Sequence, residues 1–71
     1  MYELRLKGQV DKKLIKQLQD EYYKQVEGTY ELYDSLYMNN YCRSYNKDRI
    51  FFIGYLLATN NIDFTFTELE G

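Results

Sequence analysis

At the head of the chain Tyr2, Leu4 and Leu6 alternate with Glu3, Arg5 and Lys7. A period of two puts apolar side chains on one face and charges on the other, as in a half-buried strand. Gly8 weakens the end of this strand, and Asp11 stands where a helix N-cap is needed. From Lys12 to Glu27 the period lengthens. Leu14, Leu18 and Tyr22 recur every four residues, Ile15, Gln25 and Val26 widen the stripe, and Lys13, Lys16, Gln17, Asp20, Glu21 and Lys24 fall largely opposite. This predicts an amphipathic helix, with Asp20 and Lys24 as an i,i+4 pair and Gly28 ending it in the left-handed conformation. Lys12 and Lys13 oppose the dipole of its first turn, at a small cost.

The segment Thr29 to Tyr45 admits two readings. Thr29-Tyr30-Glu31-Leu32-Tyr33 is strand-like in residue type, Asn39-Asn40 suits a two-residue turn, and Tyr41 to Tyr45 is the return strand. Asp34-Ser35 is a rival turn. Alternatively Tyr30, Tyr33, Tyr37 and Tyr41 follow helical spacing. The hairpin is preferred, because Tyr and Thr favour strands and paired asparagines sit awkwardly inside a helix. Asn46 then caps a second long helix through the apolar run Ile50 to Ala58, stopped at Asn60-Asn61. Gly54 inside it costs about 1 kcal/mol against Ala, for which a close backbone approach to the sheet or to a partner helix is the expected return. Ile62, Phe64 and Phe66 alternate with Asp63, Thr65 and Thr67 in the cleanest strand of the chain. If that strand neighbours the first, Arg5 and Lys7 face its acids.

The predicted order is β-α-β-β-α-β, the split β-α-β arrangement called ferredoxin-like, with an antiparallel sheet and both helices on one face. Two crossovers bring strands three and four to either side of strand one. If Thr29 to Tyr41 is helical instead, the order becomes β-α-α-α-β.

With 71 residues the chain is a single domain, residues 1–71. A domain this short buries roughly 60% of its unfolded surface, so its stability is marginal. One cysteine and no histidine leave neither a disulfide nor a metal cluster to supplement the core, so self-association is the expected supplement. No cofactor is expected. The net charge of −2, with both signs interspersed, is not the basic footprint of a phosphate binder. No apolar stretch is long enough to span a membrane, the N-terminus lacks a signal-peptide shape, and a lone cysteine suits a reducing cytoplasm. Abundant Tyr, Asn, Lys, Ile and Phe reflect AT-rich codons, a hint of an AT-rich bacterium or its mobile elements.

Without histidine the commonest general base and metal ligand are missing, so Ser-His-Asp and Cys-His sets are excluded. The four glycines stand singly and form no phosphate cradle. Cys42, next to Arg43, reads as structural. Glu27, Glu31, Asp34, Asp63, Glu68 and Glu70 read as solvated acids. The remaining signal is tyrosine. Seven of nine tyrosines fall between Tyr22 and Tyr45, and Leu32 to Tyr41 carries one charge in ten residues. That stretch is too apolar for an idle surface segment. Tyr2, Tyr22, Tyr30 and Tyr55 are expected to complete the core with their hydroxyls at its rim. Tyr33, Tyr37 and Tyr41, with Arg5, Lys7 and Arg43 nearby, could stack single-stranded bases, although the third strand lacks the expected aromatic and glycine signature. On the second helix, Phe51, Phe52, Tyr55 and Leu56 cannot all point inward if Ile50, Ile53 and Leu57 do.

The expectation is a non-enzymatic protein-binding module acting through Tyr33, Tyr37, Met38, Tyr41, Arg43, Phe52 and Tyr55. Its partner is another protein, a second copy of itself, or both. Size and composition suit an accessory protein of a phage or similar element that blocks a host protein such as a defence nuclease. The alternatives are a single-stranded nucleic-acid or nucleotide-binding domain, and a ligand sensor whose pocket forms between subunits.

Overall fold

The alternating segments at the two ends of the chain pair with each other. A computed structural model describes residues 1–26, 32 and 34–70. Their order is β1 (Tyr2–Leu6), α1 (Lys12–Gln25), α2 (Leu36–Asn39), β2 (Tyr41–Ser44), α3 (Lys47–Thr59) and β3 (Phe64–Glu68). The three strands form one antiparallel sheet in the order β2-β1-β3. This is a small α+β domain of one three-stranded sheet and three helices.

The register sorts the side chains into two faces. Leu4 lies opposite Cys42 on one side and Phe66 on the other, and all three face the helices. Leu4, Leu6 and Cys42 join Ile15, Leu18, Tyr22, Val26, Leu36, Ile50, Ile53, Leu57 and Ile62 in one buried core. Glu3, Arg5, Tyr41, Arg43, Thr65 and Thr67 occupy the opposite face. Beyond the strands the ladders continue. The Leu6 N–H donates to the Asn40 carbonyl at 2.9 Å, and the Lys7 N–H donates to the Asp63 carbonyl at 3.1 Å.

Helix starts follow the caps in the sequence. The Asp11 carboxylate accepts from the Lys13 N–H, and the Asn46 side chain accepts from the Asp48 N–H. The end of α1 differs: it stops at Gln25, with Val26 already extended, and Gly28 lies outside the described residues. The i,i+4 pair on its surface is Lys16–Asp20 at 3.1 Å rather than Asp20–Lys24.

Before β2 the expected two-residue turn at Asn39-Asn40 is replaced by the short helix α2. Ser35 caps it by accepting from the Met38 N–H, and Leu36 is driven into the core. Asn40 does take a positive φ of 66°, as asparagine tolerates, but it does so to end a helix. α1 holds α2 in place. Gln19 Oε1 accepts from the Ser35 hydroxyl at 3.3 Å and from the Tyr37 N–H at 3.2 Å. Lys12 Nζ donates to the Tyr37 carbonyl at 2.9 Å and to Asn40 Oδ1 at 2.7 Å. Lys12 thus opposes the dipole of its own helix but supplies a cation to the carbonyl end of the next one. The strand expected at Thr29 to Tyr33 lies, apart from Leu32, outside the described residues.

α3 crosses the helix-facing side of the sheet at Gly54. A Cβ built there would lie 3.2 Å from the Phe64 ring and 3.4 Å from a Leu4 methyl. The expected return for this glycine is therefore found in the sheet. Exchange to Ala would recover about 1 kcal/mol of helix propensity, and the half-buried Phe64 ring has open space beside it into which to shift. Gly54→Ala is accordingly expected to stay within about 1 kcal/mol of wild type, whereas Gly54→Leu overpacks the contact and costs about 1–3 kcal/mol. Urea midpoints check this, and a Leu variant as stable as the Ala variant would contradict the close approach.

Candidate functional site

α3 is apolar on three flanks, and the fold uses each differently. Ile50, Ile53 and Leu57 point into the core. Phe52 and Leu56 are half-buried, and the Phe52 ring packs against Tyr22 on α1 with centroids 5.7 Å apart. Phe51 and Tyr55 take the third flank, beside β3, and keep 50% and 57% of their surface in solvent. Across from them Phe66, 40% exposed, lies 5.2 Å from the Phe51 ring and stacks on Tyr2 at 5.8 Å. Between α3 and β3 these rings border an open groove of about 350 Å³, lined also by Leu4, Ile50, Gly54, Ala58 and Phe64. Every lining side chain is apolar except for the Tyr55 hydroxyl.

The opposite face of the sheet is polar and internally committed. The Glu3 carboxylate receives Arg5 Nε at 3.2 Å on one oxygen and Arg43 Nε at 3.0 Å on the other. Both guanidiniums also lie over the Tyr41 ring, at 4.5 Å and 4.9 Å from its centroid. Arg5 is therefore paired within its own strand and not with acids of β3, whose residue opposite it is Thr65. Burial pulls the Glu3 pKa upward, but the hydrogen bonds and charges of Arg5 and Arg43 outweigh it, and the carboxyl sits below its ordinary value. Arg43 is raised in turn, chiefly by its hydrogen bond to Glu3.

The seven residues picked from the sequence do not form one surface. Tyr55 belongs to the apolar groove. Tyr41 and Arg43 lie on the polar face, with the Tyr41 ring already covered. Tyr37 is half-buried on α2, with Lys16 Nζ 5.9 Å from its ring centroid. Met38 on the same helix is 70% exposed. Phe52 packs inside, against α1. Tyr33 lies outside the described residues. The proposed base-stacking platform is thus divided, with Tyr37 and Tyr41 on different elements. Of the tyrosines expected in the core, Tyr22 is fully buried and Tyr2 half-buried, Tyr55 is exposed, and Tyr30 lies outside the described residues.

The sequence reading did not single out Phe66, and it named Phe51 only among the α3 residues that cannot all point inward. Their alternation and helical phase were visible, but not which flank of α3 would face α1. Cys42 is fully buried on the helix-facing side of β2. Burial, with Asp34 and Glu3 adding to it, pushes its thiol up to about 12. Among the described residues no group of three or more Cys, Asp or Glu gathers as a metal site, and no helix is long and apolar enough to cross a membrane. Comparison with protein-family models, with curated proteins and with solved structures finds no match.

Two outcomes follow from this geometry. Native Cys42 should resist thiol reagents at mildly alkaline pH and react at the rate of global opening. Labelling as fast as in urea-unfolded chain would contradict its burial. Because the folded pKa of Glu3 is depressed, its contribution to stability is fully present above the ordinary value of 4.5 and is lost as the pH falls through the folded pKa. Glu3→Gln should therefore lower the urea midpoint at neutral pH, with the difference from wild type shrinking as acid is added. A constant difference across the titration would show that the carboxylate charge does not stabilise the fold.

Proposed function

We propose that this chain is a non-enzymatic protein-binding module whose contact surface is the aromatic groove between α3 and β3. The observation that carries the reading is the gathering of Phe51, Tyr55 and Phe66, each between 40% and 57% exposed, around an apolar depression of about 350 Å³. Half-exposed aromatics with one cation at their rim, Lys47 Nζ at 5.4 Å from the Phe51 ring centroid, are the composition of an interface core, where large rings give contact area at low entropic cost. The tyrosine-rich surface expected from the sequence is thereby narrowed to one tyrosine and two phenylalanines.

The same observations weigh against single-stranded nucleic acid as ligand. Its stacking platform would be the polar sheet face, where the Tyr41 ring is taken by two guanidiniums and these share one carboxylate. We read the fold as the ferredoxin-like arrangement, supported by β1 lying antiparallel between β2 and β3. Composition supports a phage or similar element as the setting, and in the cytoplasm of a host a foreign partner is a host protein.

The experiment is affinity capture from source cells, with protein and nucleic acid both identified, by wild type and by Phe51→Ser, Tyr55→Ser and Tyr41→Ser. The two groove changes lie at exposed positions and should shift stability by about 0.5 kcal/mol or less. Each should weaken protein capture about tenfold or more, as truncating an interface anchor does. Tyr41→Ser should leave capture unchanged. Capture indifferent to the groove but lost with Tyr41, or nucleic acid as the main bound species, would overturn the reading.

A further inference from the structure

The groove ends at the edge of the sheet, and that edge specifies its own occupant. Among the described residues β3 pairs with β1 alone. The Leu69 N–H donates to the Met1 carbonyl at 2.7 Å, and the Lys7 N–H donates to the Asp63 carbonyl at 3.1 Å. With the register fixed, these bonds assign the odd positions Asp63, Thr65, Thr67 and Leu69 to the β1 side. The backbone groups of Phe64, Phe66 and Glu68 then point outward from the edge. An unpaired row of donors and acceptors beside an apolar groove calls for an extended strand with apolar side chains on alternate positions.

β3 itself meets that description. We propose that the groove's occupant is a second copy of this chain, joined through antiparallel β3–β3 pairing about a two-fold axis at Phe66. This rests on the groove being a protein-contact surface. The outward backbone groups allow the register in which Phe66 faces its symmetry mate and Phe64 faces Glu68 of the other copy. On the opposite face Thr65 then lies against Thr67 of the other copy, twice, a favourable cross-strand pair. No like charges face each other anywhere in that register: Asp63 meets Leu69, and Ile62 meets Glu70. Beyond the first turn of α3, where Lys47 lies 5.4 Å from the Phe51 ring centroid, the flank alongside is as neutral, because Ile50 to Ile62 carries no charged residue in a chain that is 28% charged. Pairing the strands brings the Phe51, Tyr55 and Phe66 rings of both copies to one dyad, so two half-open grooves become one layer under a six-stranded sheet, apolar at its centre and bounded at each end by Glu68. An isologous contact of this kind closes on itself and leaves β3 with no free edge.

Thr65 and Thr67 make the test specific for register, because they lie on the polar face, away from core and groove. In a non-hydrogen-bonded antiparallel pair the Cα atoms stand about 4.5 Å apart, within disulfide reach. Thr65 and its own symmetry mate are diagonal, at roughly 7–8 Å, and out of reach. Light scattering should give twice the monomer mass at micromolar concentration. Thr65→Cys mixed with Thr67→Cys under mild oxidation should give a covalent dimer, and either variant alone should give at least tenfold less. Glu68→Pro, which removes only an outward N–H, should weaken the dimer about tenfold or more while the fold survives by circular dichroism.

A monomer mass at all concentrations overturns the proposal. So does a dimer that fails to cross-link in the mixture, or cross-links equally in the single variants. A monomer whose capture of another protein still depends on Phe51 would remove the self-pairing alone. A monomer with no such dependence removes the groove as a contact surface as well.

Discussion

β1 is hydrogen-bonded along both edges, and β2, β3 and α3 take their positions from it. On one face Leu4 and Leu6 meet the helices. On the other Glu3 holds Arg5 and Arg43 together and thereby ties β1 to β2 across the sheet. On one strand, apolar burial supplies most of the stability, and a charged cluster fixes which strand lies beside it. The cluster is a modest stabiliser, since both guanidiniums keep contact with water. It is a stronger specifier, because a slip of one residue would carry Glu3 toward the core and Leu4 into solvent.

The second consequence of a small core is the distribution of aromatic rings. Tyr22 and Phe52 join α1 to α3, and Tyr2 covers the inner edge of β3 through Phe66. Once these contacts are made there is no further layer for Phe51 and Tyr55 to enter. Their exposure follows from a sheet with two long helices over it and a third of a single turn. α2 contributes Leu36 to the core and then spends its polar groups on α1, through Gln19 and Lys12.

Much of this was legible from local chemistry. Both end strands were visible because their period of two is uninterrupted. Both long helices were visible because Asp11 and Asn46 announce them, and the stop at Asn60-Asn61 is realised with Asn61 at a φ of 60°. The short helix was not, since four residues hold too few positions to display a period, and Asn40 fits a hairpin turn and a helix end equally well. The site was harder for a related reason. Helical phase says that Phe51 and Phe52 point about a hundred degrees apart. It does not say which of the two meets α1. That choice is made by Gly54, whose contact with Leu4 and Phe64 sets how α3 sits on the sheet.

Among the described residues, the pairing of β1 with β3 joins the earliest strand to the latest. During synthesis Leu4 and Leu6 are made long before Phe64 and Phe66 exist, so one edge of the central strand stays open until β3 follows. The loop to be closed spans Met1 to Leu69, and its entropy must be met before that ladder gives anything in return. The α1–α2–β2 portion can gather earlier around Lys12 and Gln19, but the sheet is completed only once β3 has been made. Until then the nascent protein presents an open edge of β1, with Leu4 and Leu6, to whatever chaperone or neighbour is at hand.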